Sequence, residues 1–138
     1  IGAMLGIDSE IESIADSLLG VGKILLRKQQ GNVHFNEEIY ANIDLMFGYV
    51  EKAMAGMLKV LSDIEKVDEH DIISSYNRER EINNLRNQLR TANVENINDG
   101  HYEYQSGIYY MDIVSTLEKT GDYITNVIDT IRDEFRHR

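Results

Sequence analysis

The sequence predicts an all-α protein, an antiparallel up-down bundle of four long helices. Apolar residues recur at three- and four-residue steps in four segments, and short polar breaks separate these segments. None of the 138 residues is proline, so every residue can donate the backbone N–H that a long helix uses. The length suits one domain with a hydrophobic core. We expect residues 1–138 to form a single domain in which residues 1–7 are a linker. Because the chain begins with Ile1, we also expect it to be a fragment of a longer protein.

The first helix is predicted over residues 8–30. Asp8 or Ser9 can cap its start, and Gly31-Asn32 is a typical stop signal. Its apolar face should carry five residues, with Val21 close to them: Ile7, Ile11, Ile14, Leu18 and Leu25.

Asn36 is the predicted N-cap of the second helix. An apolar stripe follows from Ile39 to Ile64 and contains three methionines, which we interpret as core rather than as an adaptable binding face. Gly48 and Gly56 interrupt the pattern and predict close helix packing.

The third helix should begin near Asp71, after a break at 66–68, and end near residue 93. Residues 93–100 are polar and are predicted to form a loop. The fourth helix should begin within 101–105 and end near Phe135. Its mid-seam residue Gly121 predicts the close approach of another backbone. The apolar seam comprises Tyr110, Val114, Leu117, Gly121, Ile124, Ile128, Ile131 and Phe135.

Composition excludes several functions. The net charge of −10 opposes binding to phosphate backbones, so we expect no nucleic-acid partner. The absence of cysteine excludes disulfides, thiolate zinc sites and a cysteine nucleophile, and it fits a reducing compartment. No apolar run approaches the roughly 20 residues of a membrane span. No phosphate loop, nucleophile elbow or H-E-x-x-H motif occurs. We therefore expect no enzyme and no catalytic residue.

An acidic pattern occurs twice, at an offset of 106 residues: Glu12 and Asp16 match Glu118 and Asp122. Each pair lies beside a predicted apolar seam. This spacing indicates a repeat of about three helices. The first helix would then be the last helix of a preceding repeat, and the other three helices would form one complete repeat.

These acids are candidate metal ligands. Carboxylates at i and i+4 repel each other on a bare helix, and a hard cation such as Mg²⁺, Ca²⁺ or iron would reverse that effect. Glu79 and Asn83 have the same spacing on the third helix. A solvated face is the alternative for the repeated pairs. For Glu79 the alternative is an ion pair with one of the nearby arginines Arg78, Arg80, Arg86 and Arg90. No E-x-x-H motif occurs, which argues against a ferritin-like di-iron oxidase.

Residues 114–126 resemble the last-helix signature of the PhoU family of phosphate-uptake regulators: an apolar residue, Glu, two residues, Gly, Asp, three residues and Asn. The segment reads VSTLEKTGDYITN. Residues 76–83 are similar to the family's middle-helix motif, with Asn83 in place of Asp. Glu12 and Asp16 match the two acids of the signature, with Gly20 in place of Asn.

The resemblance covers residues 8–135 and implies a PhoU-like bundle. It further implies that a divalent or iron-type cation could be held by six residues: Glu118, Asp122, Glu12, Asp16, Glu79 and Asn83. The chain is most similar to the cytosolic C-terminal domain of bacterial sodium/phosphate cotransporters. That similarity implies a non-enzymatic regulatory role at the inner face of the cell membrane, with a membrane transport domain or transporter subunits as partners. A free-standing phosphate-uptake regulator and a structural bundle without a ligand are the alternatives. A homodimer is also left open.

Overall fold

Four long helices account for most of the chain in a computed structural model that describes residues 2–135. A short 3₁₀ turn, Ile64–Lys66, joins the second helix to the third. No strand occurs within the described residues. The predicted all-α class is confirmed. The helices are α1 (Gly2–Gln30), α2 (Glu37–Ser62), α3 (Glu69–Asn98) and α4 (Tyr104–Glu134).

Three helix boundaries have clear local causes. The side chain of Asn36 accepts a 2.8 Å hydrogen bond from the N–H of Ile39, which confirms the predicted N-cap of α2. Asn32 adopts a left-handed conformation with φ of 54° just beyond the end of α1, as the stop signal indicates. Asp68 and Asp71 form a capping box at the start of α3, because each carboxylate accepts from the other residue's N–H.

Helix α4 is the centre of the packing and contacts each of the other three helices. It runs antiparallel to α1, because Ser17 hydrogen-bonds to Thr120 at 2.7 Å while the earlier residue Glu10 hydrogen-bonds to the later residue Asn126 at 3.4 Å. The buried residues of α4 lie on several of its sides, which is typical of a helix enclosed by neighbouring helices. They include Ile113, Val114, Leu117, Thr120, Ile124, Val127, Ile128 and Ile131.

Two predicted boundaries differ from the structure. Residues 2–7 are helical rather than a linker, and Ile7 is buried in the core. Helix α3 continues to Asn98, through most of the predicted loop. The polar residue Asn93 is buried within this helix, where its side chain accepts a hydrogen bond from the hydroxyl of Tyr102. Asn93 therefore faces the interior with its side chain hydrogen-bonded, although the polar composition of this segment indicated a loop.

The core-facing side of α1 also differs from the prediction. Ile11 is 41% exposed and Leu25 is 36% exposed. Ile7 and Ile14 are buried as predicted, and Leu18 packs partly buried against the core. The other buried residues of α1 are Val21 and Ile24. Apolar residues at three- and four-residue steps occur on more than one side of this helix. The sequence alone does not indicate which of these sides faces the core.

The contacts at the glycines differ from the predictions, which were another backbone at Gly121 and close helix packing at Gly48 and Gly56. At Gly121 the side chain of Ile82 fills the space, so a Cβ there would lie 3.1 Å from Ile82 Cδ1. At Gly56 the guanidinium of Arg78 occupies the place of a Cβ. Gly48 has no neighbour within 4 Å of such a Cβ.

Within residues 2–135, none of the helices is both long and apolar enough to cross a membrane.

Candidate functional site

Acidic side chains line the groove between α3 and α4, which we term the acidic seam: Glu79, Glu118, Asp122 and Asp129. The register of the two antiparallel helices brings these residues together. Ile82 packs into the space left by Gly121, and Glu79 lies one turn before Ile82 while Asp122 directly follows Gly121. The carboxyl groups of Glu79 and Asp122 consequently meet across the helix interface.

Burial and like charge raise the pKa of both central carboxyl groups. For Glu79, partial burial is the largest cause of the raised pKa, and the charges of Asp122 and Asp129 add to it, while a hydrogen bond with Thr125 opposes it. Asp122 is an exposed residue at the rim of the groove, and the partial loss of its hydration is still the first cause of its raised pKa, with the charge of Glu118 second. The hydrogen bond with Glu79 and the charge of Arg86 oppose the shift. The pair therefore favours a shared proton or a nearby cation over two free charges.

Glu118 has a cationic partner from α3. Its Oε2 accepts a 2.9 Å hydrogen bond from Nε of Arg86, and only 15% and 25% of the two side chains are exposed. The charge of Glu118 is thus compensated within the protein. Arg86, one of the four arginines suggested as partners for Glu79, is instead bound to Glu118.

At the other end of the seam, Tyr76 donates a 2.5 Å hydrogen bond to Asp129 and accepts one from Arg132. Burial, followed by the hydrogen bond and charge of Asp129, raises the pKa of Tyr76 to about 12. The prediction did not assign Tyr76 or Arg132 to the site. The signal that could have found them is the position of Asp129, seven residues after Asp122 on the same side of α4.

Glu12 and Asp16 lie away from this seam. Each is two residues from the buried Ile14, which places it about 160° from the core-facing direction of α1. Both side chains are exposed, and neither forms an ion pair within the described part of the chain. The two E-x-x-x-D copies therefore match in sequence but not in environment.

Asn83 is half-buried on α3, one turn beyond Glu79. The hydrogen bonds of the seam within residues 2–135 do not include it. Of the six expected ligands, the structure joins Glu79 and Asp122 directly and places Glu118 beside them.

The donor set does not fit a multinuclear metal centre. Two carboxylates are adjacent, a third is held by Arg86, and two more lie on the far side of α1. In the described part of the chain, one group of three ligand side chains has its atoms within 4.8 Å: Asp68, His70 and Asp71. Asp68 and Asp71 form the capping box of α3, which accounts for their proximity.

Fold and seam together define an α-helical bundle domain with paired acids between its last two helices. The family model of the PhoU domain matches residues 43–131, and the chain belongs to that family. The matched region contains α3, most of α2 and α4, and the whole acidic seam. It excludes Glu12 and Asp16. No curated protein and no solved structure matches the chain.

Proposed function

We propose that this domain regulates phosphate transport without catalysing a reaction, as the cytosolic domain of a sodium-dependent phosphate cotransporter. The supporting observation is that the PhoU match coincides with α2, α3 and α4 and with the acidic seam between two of them. PhoU domains are regulatory, so the proposed partners are a membrane transport domain or transporter subunits. The proposed location is the inner face of the cell membrane.

The acidic seam is the proposed working part of the domain. Glu79 and Asp122 place two carboxyl groups together, and both pKa values are raised. Such a pair accepts one hard cation through its oxygens, because the ion removes the repulsion that burial amplifies. This proposal retains one cation, divalent or iron-type, and two ligands. Glu118 would become a third ligand only if its ion pair with Arg86 were broken.

Metal content tests the cation part of the proposal. The protein would be purified without chelator and assayed for metals, then titrated with Mg²⁺, Ca²⁺, Zn²⁺ and Fe²⁺ by calorimetry. The test variant is Glu79→Gln/Asp122→Asn, which removes both proposed ligands and leaves the Arg86–Glu118 pair in place. The matched control is Glu12→Gln/Asp16→Asn, which also removes two negative charges but lies outside the seam. Saturable binding that only the test variant loses supports the proposal. Equal binding in all three proteins, or none in the wild type, contradicts it.

Uptake of labelled phosphate tests the regulatory part. The complete gene would be compared with a version that lacks the segment encoding residues 2–135, in cells without other phosphate transporters. The cotransporter role requires that deletion change sodium-dependent uptake without abolishing insertion of the transport domain. A free-standing PhoU-type regulator, which fits the family match equally well, would instead change uptake through a separate transporter. Unchanged uptake in both settings would refute the regulatory role.

A further inference from the structure

A small basic pocket lies between α2 and the first three turns of α3. Its volume is about 220 Å³. A water molecule needs only about 10–15 Å³ by the same measure, so the pocket holds a small ion with several waters. Its polar lining consists of Lys59, His70, Asp71, Ser74 and Arg78. This concentration of basic groups contrasts with the net charge of −10 of the chain.

Arg78 is the central cation of the pocket. Its guanidinium lies against the backbone of Gly56, in the space that any other residue's Cβ would fill. It is half-buried and forms no ion pair within residues 2–135. The nearest arginines in sequence behave differently: Arg80 is exposed on another side of α3, and Arg86 is bound to Glu118. A guanidinium that is partly removed from water and has no anionic partner is suited to bind an oxyanion.

The one carboxylate in the lining is already engaged. Oδ2 of Asp71 accepts the N–H of Asp68 at 3.3 Å, and Oδ1 lies 3.7 Å from Nζ of Lys59. Its charge is therefore partly offset at the start of α3. The acids of that helix start also offset the positive end of the α3 dipole, so the basic side chains supply the positive field of the pocket.

We propose that this pocket binds a free tetrahedral oxyanion, inorganic phosphate or sulfate, with Arg78 as the main ligand. Lys59 and His70 supply further N–H donors, and the hydroxyl of Ser74 supplies an O–H donor. Gly56 is the residue that makes the site, because its missing side chain lets the guanidinium lie against α2. The proposal depends on this geometry alone and not on the role of the domain in transport.

Calorimetric titration with inorganic phosphate and with sulfate tests the proposal, with chloride at equal ionic strength as the reference anion. Arg78→Gln should weaken binding at least tenfold, because a charge-assisted guanidinium contact is lost. Its control is Arg80→Gln, which removes the same charge from the same helix outside the pocket. Added NaCl should weaken wild-type binding through screening.

Gly56→Ala is the second variant and keeps the charge unchanged. The new methyl group should displace the guanidinium and weaken phosphate binding at least tenfold, while the helix remains folded. Gly48→Ala is its matched control, because a Cβ there meets nothing within 4 Å. Circular dichroism would verify folding of each variant. Absence of saturable wild-type binding, or equal affinity in the wild type, Arg78→Gln and Gly56→Ala, would overturn the proposal.

Discussion

The carboxyl group of Glu79 on α3 meets the carboxyl group of Asp122 on α4, and the pKa of each is raised, above all by partial burial. Two acids from different helices thus share one site at the interface, beside the Gly121–Ile82 contact that sets the register of the helices. This relationship gives the seam a measurable electrostatic signature.

The first prediction concerns pH. The ordinary pKa values are 4.5 for Glu79 and 3.8 for Asp122, and both are raised on folding. The folded state therefore binds protons more tightly than the unfolded state. The resulting stabilisation is fully present below the ordinary values and is lost as pH rises through the raised values. Glu79→Gln/Asp122→Asn should remove this dependence. The difference in the free energy of unfolding, variant minus wild type, should therefore become more positive as pH rises. Urea unfolding from about pH 4 to pH 8 would measure this difference. A constant difference across the range would contradict the raised pKa values.

The second prediction concerns Arg86. Replacing it with methionine leaves the largely buried carboxylate of Glu118 without its partner. We expect a loss of about 2 kcal/mol in the free energy of unfolding, less than for a fully buried pair because a quarter of Arg86 is exposed. Chemical denaturation of Arg86→Met, Glu118→Met and the double variant forms the cycle that isolates the pair. The double variant should recover most of the loss. If the two single effects simply add, the ion pair contributes nothing.

The third prediction compares two glycines. A Cβ on Gly107 would lie 2.6 Å from Ile97 Cδ1 and 2.8 Å from Asn93 Oδ1. Gly107→Ala should therefore destabilise the fold by about 1–3 kcal/mol, as overpacking does. Gly48→Ala is the control, and it should stabilise the fold by about 0.5–1 kcal/mol because Ala replaces Gly in an open helix position. Thermal unfolding of both variants measures the contrast. Stabilisation by Gly107→Ala would show that α3 and α4 pack more loosely than the structure indicates.

The fourth prediction tests the N-cap of α2. Asn36→Ala removes the acceptor of the 2.8 Å hydrogen bond from Ile39 N–H. The expected loss is about 1 kcal/mol in the free energy of unfolding, and Asn36→Ser should restore most of it. Urea denaturation of the two variants provides the comparison. Equal losses in both would show that the cap itself contributes little.

The features that could be predicted from the sequence are those with local causes. Asn36 and Asn32 mark helix ends through their own backbone geometry, and the seam of α4 is apolar enough to be unambiguous. The core face of α1 depends on its partner helix. Including Ile11 and Leu25 in that face placed Glu12 and Asp16 beside the core, whereas the structure places them on the opposite side. The ion pair between Arg86 and Glu118 depends on helix register, which spacing within one helix does not encode.

The central claim is that the acidic seam of α3 and α4, and not the acidic pair of α1, carries the regulatory function. Phosphate uptake tests it most directly, in cells that express the complete protein as the wild type, Glu79→Gln/Asp122→Asn, or Glu12→Gln/Asp16→Asn at equal levels. Each double variant removes two negative charges. We predict that uptake changes at least several-fold in the seam variant and stays at the wild-type level in the α1 variant. Equal uptake in all three, or a change confined to the α1 variant, would contradict the claim.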